Sequence, residues 1–299
     1  MLLKSSQITF LKKVAVKLRS PFINNVVNGL VVKELELKFK EIINDYKTKK
    51  PLPKTKQSDK VIWFCWFQGI DNAPLLVKKC FYNLEINKPD EYEIKIITEN
   101  NYQQYIDVPQ FIKDKFSQGM ISKTHLSDII RFSLLAKYGG LWIDSTILVL
   151  KGLDDVLNNN AFLTLKNNNF YKYTSISNGL WTSYFIKACP NDQGIEFIRD
   201  CLIKYWEIEK EIFDYYMLDY TILLAYKHFP QLRNDIKNNS YYGNNRYLLK
   251  NLMNYPVNSE DTKKLQNDPL KIYKLNNKTE YIEYTPEGRE TYYKKFINN

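Results

Sequence analysis

The most constraining stretch runs from Val61 to Leu150, where strand-length apolar runs alternate with helix-length periodic ones. VIWFCWF (Val61–Phe67) is an unbroken apolar run, the mark of a strand buried on both faces. Pro74 then opens a helix with Leu76, Val77, Cys80, Phe81 and Leu84 on one side. YEIKIIT (Tyr92–Thr98) reads as a second strand, rich in β-branched residues. A short helix follows Pro109, and a longer one runs from about Ser122 to Tyr138, ending at Gly139 and Gly140. LWIDSTILVL (Leu141–Leu150) reads as the next strand. This alternation predicts an α/β fold with an open, mostly parallel sheet flanked by helices. Ligands of such sheets bind outside the carboxyl ends of the strands.

Before this region lies a different kind of chain. MLLKSSQITFLKKVAVKLRS carries Lys4, Lys12, Lys13, Lys17 and Arg19 and no acid, with Leu3, Phe10, Leu11, Val14 and Leu18 at helical spacing. It predicts a basic amphipathic helix reaching Pro21, suited either to an anionic membrane surface or to packing on the main domain. A second helix is expected over about Asn25–Tyr46, and the polar stretch KTKKPLPKTKQSDK reads as a linker. The expected organisation is an N-terminal helical extension with its linker, 1–57, followed by one α/β domain, 58–299. Further helices are expected at Gln193–Glu209 and about Tyr215–His228.

The net charge of +10 favours anionic partners, but the lysines are scattered and no nucleic-acid motif is present, which argues against a nucleic-acid binder. Cys65, Cys80, Cys189 and Cys201 form no C-x-x-C pair and read as buried, reduced thiols of a cytosolic protein. His125 and His228 are too few for a histidine zinc site. No apolar run approaches the roughly 20 residues of a membrane span.

Several polar residues stand where the pattern asks for apolar ones. Asp128 and Arg131, three apart, share a helix face. Asp144 lies in an apolar strand, where a carboxylate is costly unless paired or bound to something. Asp144 and Arg131 admit two readings, a structural ion pair or a ligand site. Asp219, in YYMLDYTILLAY, suits either contact with an acceptor or sugar hydroxyl or a carboxylate on a helix surface.

The stretch SDIIRFSLLAKYGGLWIDST (Ser127–Thr146), with IWFCWFQG (Ile62–Gly69), resembles the bacterial capsular polysaccharide synthesis proteins. These are relatives of the sugar transferases with an Asp-x-Asp motif, which include yeast mannosyltransferases and the glucosylating domains of clostridial toxins. The resemblance implies a GT-A-like fold and transfer from a nucleotide-sugar, a UDP-sugar by preference, to a lipid-linked oligosaccharide. It also implies a retaining reaction and a peripheral place at the inner face of the membrane. It implies that Trp66 stacks on the base, with Phe67, Thr98 and Ser127 also on the donor side, and that Asp128 and Arg131 hold the donor sugar and its phosphates. Asp144 matches the first acid of the motif, the expected contact for ribose and for Mg²⁺ or Mn²⁺. Thr146 stands where the second acid belongs, and a hydroxyl is a poorer ligand, which puts the metal in question. SNG (Ser177–Gly179) resembles an acceptor-side loop, adding Asn178 and Gly179. KIYKLNNK (Lys271–Lys278) offers Lys274 and Lys278 either as a loop closing over the diphosphate or as a solvated tail. Two other functions fit the same residues: a non-catalytic capsule assembly protein, and a transferase of another activated group.

Overall fold

A computed structural model describes residues 5–50, 60–157, 161–168 and 175–298. Among the described residues the strands are β1 (Val61–Cys65), β2 (Glu93–Ile97), β3 (Gly140–Asp144), β4 (Ile147–Val149), β5 (Leu163–Thr164), β6 (Phe185–Ala188) and β7 (Ile272–Lys274). Five form an open, mostly parallel sheet in the order β2-β1-β3-β6-β5, and β4 and β7 form a separate antiparallel pair. The chain divides into two compact units. Strand β3 starts in one, at Gly140 and Leu141, and finishes in the other.

The first unit takes the described residues of Met1–Asp59, Tyr102–Leu141 and Ala161–Ser240. Its spine is the Lys123–Tyr138 helix, which packs on the Gln193–Ile208 helix and on β6. Ser122 accepts the His125 N–H at 3.3 Å to cap its start. Gly139 ends it with φ +67°, and a Cβ there would lie 2.7 Å from the Ala188 carbonyl oxygen, so only glycine fits. The expected N-terminal helical extension forms as three helices, Ser5–Lys17, Pro21–Lys38 and Lys40–Thr48. The first stops at Lys17, short of Pro21, because Arg19 takes a left-handed conformation and Pro21 begins the next helix. The expected second helix is broken at Phe39. The middle of the expected linker, 51–59, lies outside the described residues, as do Leu3 and Lys4.

The second unit takes the described residues of Lys60–Asn101, Trp142–Asn160 and Tyr241–Asn299. Strand β1 is buried at every position and pairs in parallel with β2, Val61 opposite Glu93 through Cys65 opposite Ile97. The Leu75–Asn87 helix buries the five residues its periodicity selects, from Leu76 to Leu84, and packs on β4. The expected strand Leu141–Leu150 is in fact two. Ser145 and Thr146 turn the chain after β3, and β4 leaves the main sheet to pair with β7, Ile147 opposite Lys274. The second sheet is held by apolar burial, since Leu148 and Tyr273 join Leu76, Cys80, Leu249 and Tyr292 in one cluster. Each large side chain so buried contributes about 1.5–3 kcal/mol. All four cysteines are buried and none is in a disulfide among the described residues.

Candidate active site

Two groups of polar residues stand out, one in each unit. In the second unit they gather at the carboxyl ends of strands. Asp144 is the last residue of β3, at the strand's end rather than its interior, and its side chain is a quarter exposed. One carboxylate oxygen accepts the Trp142 indole N–H at 3.0 Å, and the other accepts from the Lys274 ammonium at 2.8 Å. Strand residues two apart face the same side, so the Trp142–Asp144 bond follows from strand geometry. Lys274 also donates to the Thr146 hydroxyl at 2.9 Å. Lys274 thus lies in a strand rather than in a closing loop. Lys278 is exposed, with its backbone N–H donating to the Asn276 side chain at 3.0 Å.

Trp66 directly follows β1 and donates its backbone N–H to the Ile97 carbonyl at 2.9 Å. Its indole Nε1 is buried with no hydrogen-bond partner among the described residues. A buried donor left unmet costs about 1–3 kcal/mol, a cost that a bound acceptor removes. Phe67 accepts the Glu99 N–H at 3.0 Å, and the Asn101 side chain caps the Thr98 N–H at 2.8 Å. Trp66, Phe67, Thr98 and Asp144 therefore all stand at or just past strand carboxyl ends.

In the first unit, Asp128 and Arg131 make a buried ion pair at 3.3 Å on the helix face they share, and Ser127 is half-buried beside them in sequence. Asp219 accepts the Trp181 indole N–H at 2.9 Å. Part of the Asp219 surface stays open, yet burial pushes its carboxyl pKa up to about 6. The Trp181 bond and the positive charge of Arg131 oppose that rise. A group poised there exchanges protons near neutral pH. Asn178 and Gly179 both have positive φ, +48° and +76°, and build the tight turn that leads to Trp181. The Asn167 N–H bonds the Gly179 carbonyl at 2.8 Å. Lys12 pairs with Asp214 and lies 4.5 Å from the Tyr220 ring centroid. The partners of Asp144 and Asp219 were not read from the sequence. The i, i+2 spacing of Trp142 and Asp144 was a usable signal, whereas nothing local links Trp181 to Asp219 or Lys274 to Asp144.

A metal of the Asp-x-Asp type does not fit these residues. The two positions that would face it hold one carboxylate and one hydroxyl, and a lysine cation already bridges them. Among the described residues no three His, Cys, Asp or Glu side chains form a metal-binding group.

A family model, that of the capsular polysaccharide synthesis proteins, matches residues 12–296. The chain belongs to this family. The matched span includes Ser127–Thr146, where the chain carries S-D-x-x-R, Y-G-G and a strand-borne Asp. The chain is also similar to three fungal enzymes. It is 24% identical to the O-glycosyltransferase PaGT of Phomopsis amygdali over 111 residues, 34% of this chain and 27% of that one. It is 25% identical to the O-glycosyltransferase braB of Annulohypoxylon truncatum over 107 residues, 33% and 25% of the two chains. The match to the glycosyltransferase afumC of Aspergillus fumigatus is 24% over 123 residues, 38% and 31%. The match thus spans about a quarter to a third of each curated relative. Among solved structures, the PaToxG glycosyltransferase aligns with a TM-score of 0.44 at 17% identity, over 71% of this chain and 84% of that one.

Proposed function

We propose that this capsular polysaccharide synthesis protein is a glycosyltransferase that moves a sugar from a nucleotide-sugar, a UDP-sugar by preference, to a growing repeat unit on a lipid carrier. One observation carries the reading: the orphaned Trp66 indole N–H and the Asp144–Lys274 pair stand at the carboxyl ends of strands in one compact unit. A GT-A-like sheet binds its nucleotide at such ends. Trp66 stacks on the base, Asp144 contacts the ribose, and the family motif assigns Asp128 and Arg131 to the sugar and its phosphates.

The reaction is a substitution at the anomeric carbon with retained configuration. The bond from that carbon to the diphosphate oxygen breaks, and its electron pair stays on the diphosphate. The acceptor oxygen forms the new bond on the same face and gives its proton to the departing diphosphate. Charge grows on the leaving group, so fixed positive charge is the main device available to the protein. Asp219, with the Asn178–Gly179 turn leading to its partner Trp181, serves the acceptor side as a hydrogen-bond acceptor for a sugar hydroxyl.

The N-terminal helices bring the enzyme to the inner face of the membrane. Lys12 is taken by Asp214, so the cations presented are Lys13, Lys17 and Arg19, beside Phe10, Leu18 and Phe22, which are 59–76% exposed.

The deciding experiment is a panel of UDP-, GDP- and CDP-sugars assayed for hydrolysis and for thermal stabilisation of the protein. Turnover of a UDP-sugar is the expected result. Stabilisation without turnover of any donor points to the non-catalytic assembly role. A cleaved donor that leaves its phosphate on the acceptor points to transfer of another activated group.

A further inference from the structure

We infer that Lys274 replaces a divalent cation in this site: its ammonium, fixed between Asp144 and Thr146, is the positive charge that meets the donor diphosphate. Transfer then proceeds without a bound metal. The inference rests on the transferase reading above.

The first ground is placement. The Asp-x-Asp pattern places two acids at positions 144 and 146 to face a cation. Here the ammonium nitrogen is 2.8 Å from the Asp144 carboxylate and 2.9 Å from the Thr146 hydroxyl, so it faces both positions. The Trp142 indole holds the other oxygen of Asp144 at 3.0 Å. A divalent ion would have to displace the ammonium and would find a single carboxylate, against the oxygen-rich sets that Mg²⁺ and Mn²⁺ prefer.

The second ground is charge. Two carboxylates and a divalent ion sum to zero, and one carboxylate with one ammonium also sums to zero. Losing the second acid to Thr146 and gaining Lys274 are therefore matched changes: the site keeps its balance with one unit less of each sign. An ammonium is a point charge with donors that suit phosphate oxygens.

The third ground is rigidity, which a lysine on a loose tail lacks. Lys274 pairs across from Ile147 in the β4–β7 sheet, and its N–H donates to the Arg246 carbonyl at 2.7 Å. The Leu275 N–H donates to the Thr146 carbonyl at 2.8 Å, tying the two side chains' backbones together. Tyr273 and Leu275 are buried in the apolar cluster on either side. Alternation along the strand then turns Lys274 away from that core. Its side chain and that of Asp144 are 23% and 25% exposed, so a diphosphate can reach the pair. A charge fixed before the substrate arrives needs no reorganisation during transfer.

The test uses the full chain. Binding of uridine, uridine diphosphate and Mn²⁺ alone is measured by calorimetry, and UDP-sugar turnover is followed with and without a chelator. Turnover and uridine diphosphate binding should be unchanged by chelation and by added Mn²⁺. Lys274→Met should weaken uridine diphosphate binding and cut turnover by about a hundredfold or more, while leaving uridine binding intact. Lys274→Arg, which keeps the charge but not the point geometry, should fall between. Loss of wild-type turnover on chelation, restored by Mn²⁺, overturns the inference, and so does wild-type behaviour of a folded Lys274→Met. The chelation arm needs no variant and is immune to misfolding. If the wild-type chain binds uridine diphosphate but needs metal, only this inference falls. If it binds no nucleoside diphosphate at all, the transferase reading falls with it.

Discussion

Asp144 and Asp219 are both carboxylates that accept an indole N–H, yet their surroundings set them opposite tasks. At Asp144 the indole and an ammonium together satisfy both oxygens. At Asp219 the indole of Trp181 faces one oxygen, and burial outweighs it, so the carboxyl holds its proton up to a pH of about 6. The first is an anchor for a cation. The second is a group whose charge the protein tolerates at a cost. Residue type and aromatic partner are the same; what differs is the Lys274 ammonium bound to Asp144 and the burial that raises the pKa of Asp219.

The largest effect expected from breaking this contrast is at the anchor. Asp144→Asn should leave the fold intact and reduce turnover by about a hundredfold or more, because it removes the charge that orients Lys274. Steady-state kinetics on the folded variant is the check, and near-normal turnover would show that the pair is only structural.

At the second carboxylate the gain should be in stability. The folded pKa of about 6 lies above the ordinary 3.8, so the folded state binds the extra proton between those values. Stability from this group is therefore lost as pH rises from about 4 to 6, and the deficit persists above 6. Asp219→Asn keeps an acceptor for Trp181 without the buried charge. It should stabilise the fold at pH 7.5 by no more than about 3 kcal/mol, with the gain vanishing near pH 4. Thermal melts across that range decide it. A variant less stable at pH 7.5 would mean that Arg131 and its neighbours make the charge favourable.

A smaller effect sharpens the assignment of the two regions. Trp66→Ala should weaken uridine diphosphate binding by about 2 kcal/mol and leave the rate at saturation nearly unchanged, because stacking on a base acts equally in ground and transition states. The same titration should not respond to Asp219→Asn. An unaltered dissociation constant in the Trp66 variant would return that ring to the core.

The smallest effects belong to the N-terminal helix. Replacing Lys13 and Lys17 by Gln should lower attachment to anionic vesicles by about 1 kcal/mol per charge, and high salt should do the same. Flotation against neutral vesicles is the comparison, and equal binding to both kinds would remove the electrostatic attachment.

Much of the scaffold was legible in the sequence because local signals decide it. The apolar run of β1, the alternation of β2, and Ser122 and Gly139 at the two ends of one helix each act within a few residues. The break at Ser145–Thr146 was not legible, since LWIDSTILVL is apolar enough on both sides to read as one strand. What divides it is β7, which captures Ile147–Val149 from more than a hundred residues away. The short helices Pro230–Asn238, Leu248–Leu252, Ser259–Gln266 and Tyr292–Phe296 were equally hidden. They span only one or two turns, and tertiary packing rather than periodicity stabilises elements of that length. The site followed the same rule. Asp128 and Arg131 were placed together by helical spacing, while Lys274 at Asp144 and Trp181 at Asp219 arrive from distant segments.

The pairing of Lys274 with Asp144 spans 130 positions of the chain, and that separation has a meaning during synthesis. At roughly 5–20 residues per second, a ribosome that has just added Asp144 works for about 6–26 s before it adds Lys274. Through that interval β1, β2 and β3 are already made, but β4 has no strand to pair with and the carboxylate has no ammonium. A nascent chain is thus electrically unfinished at Asp144 until β7 emerges. A chain cut short before β7 has all five strands of the main sheet but leaves Asp144 without its ammonium partner.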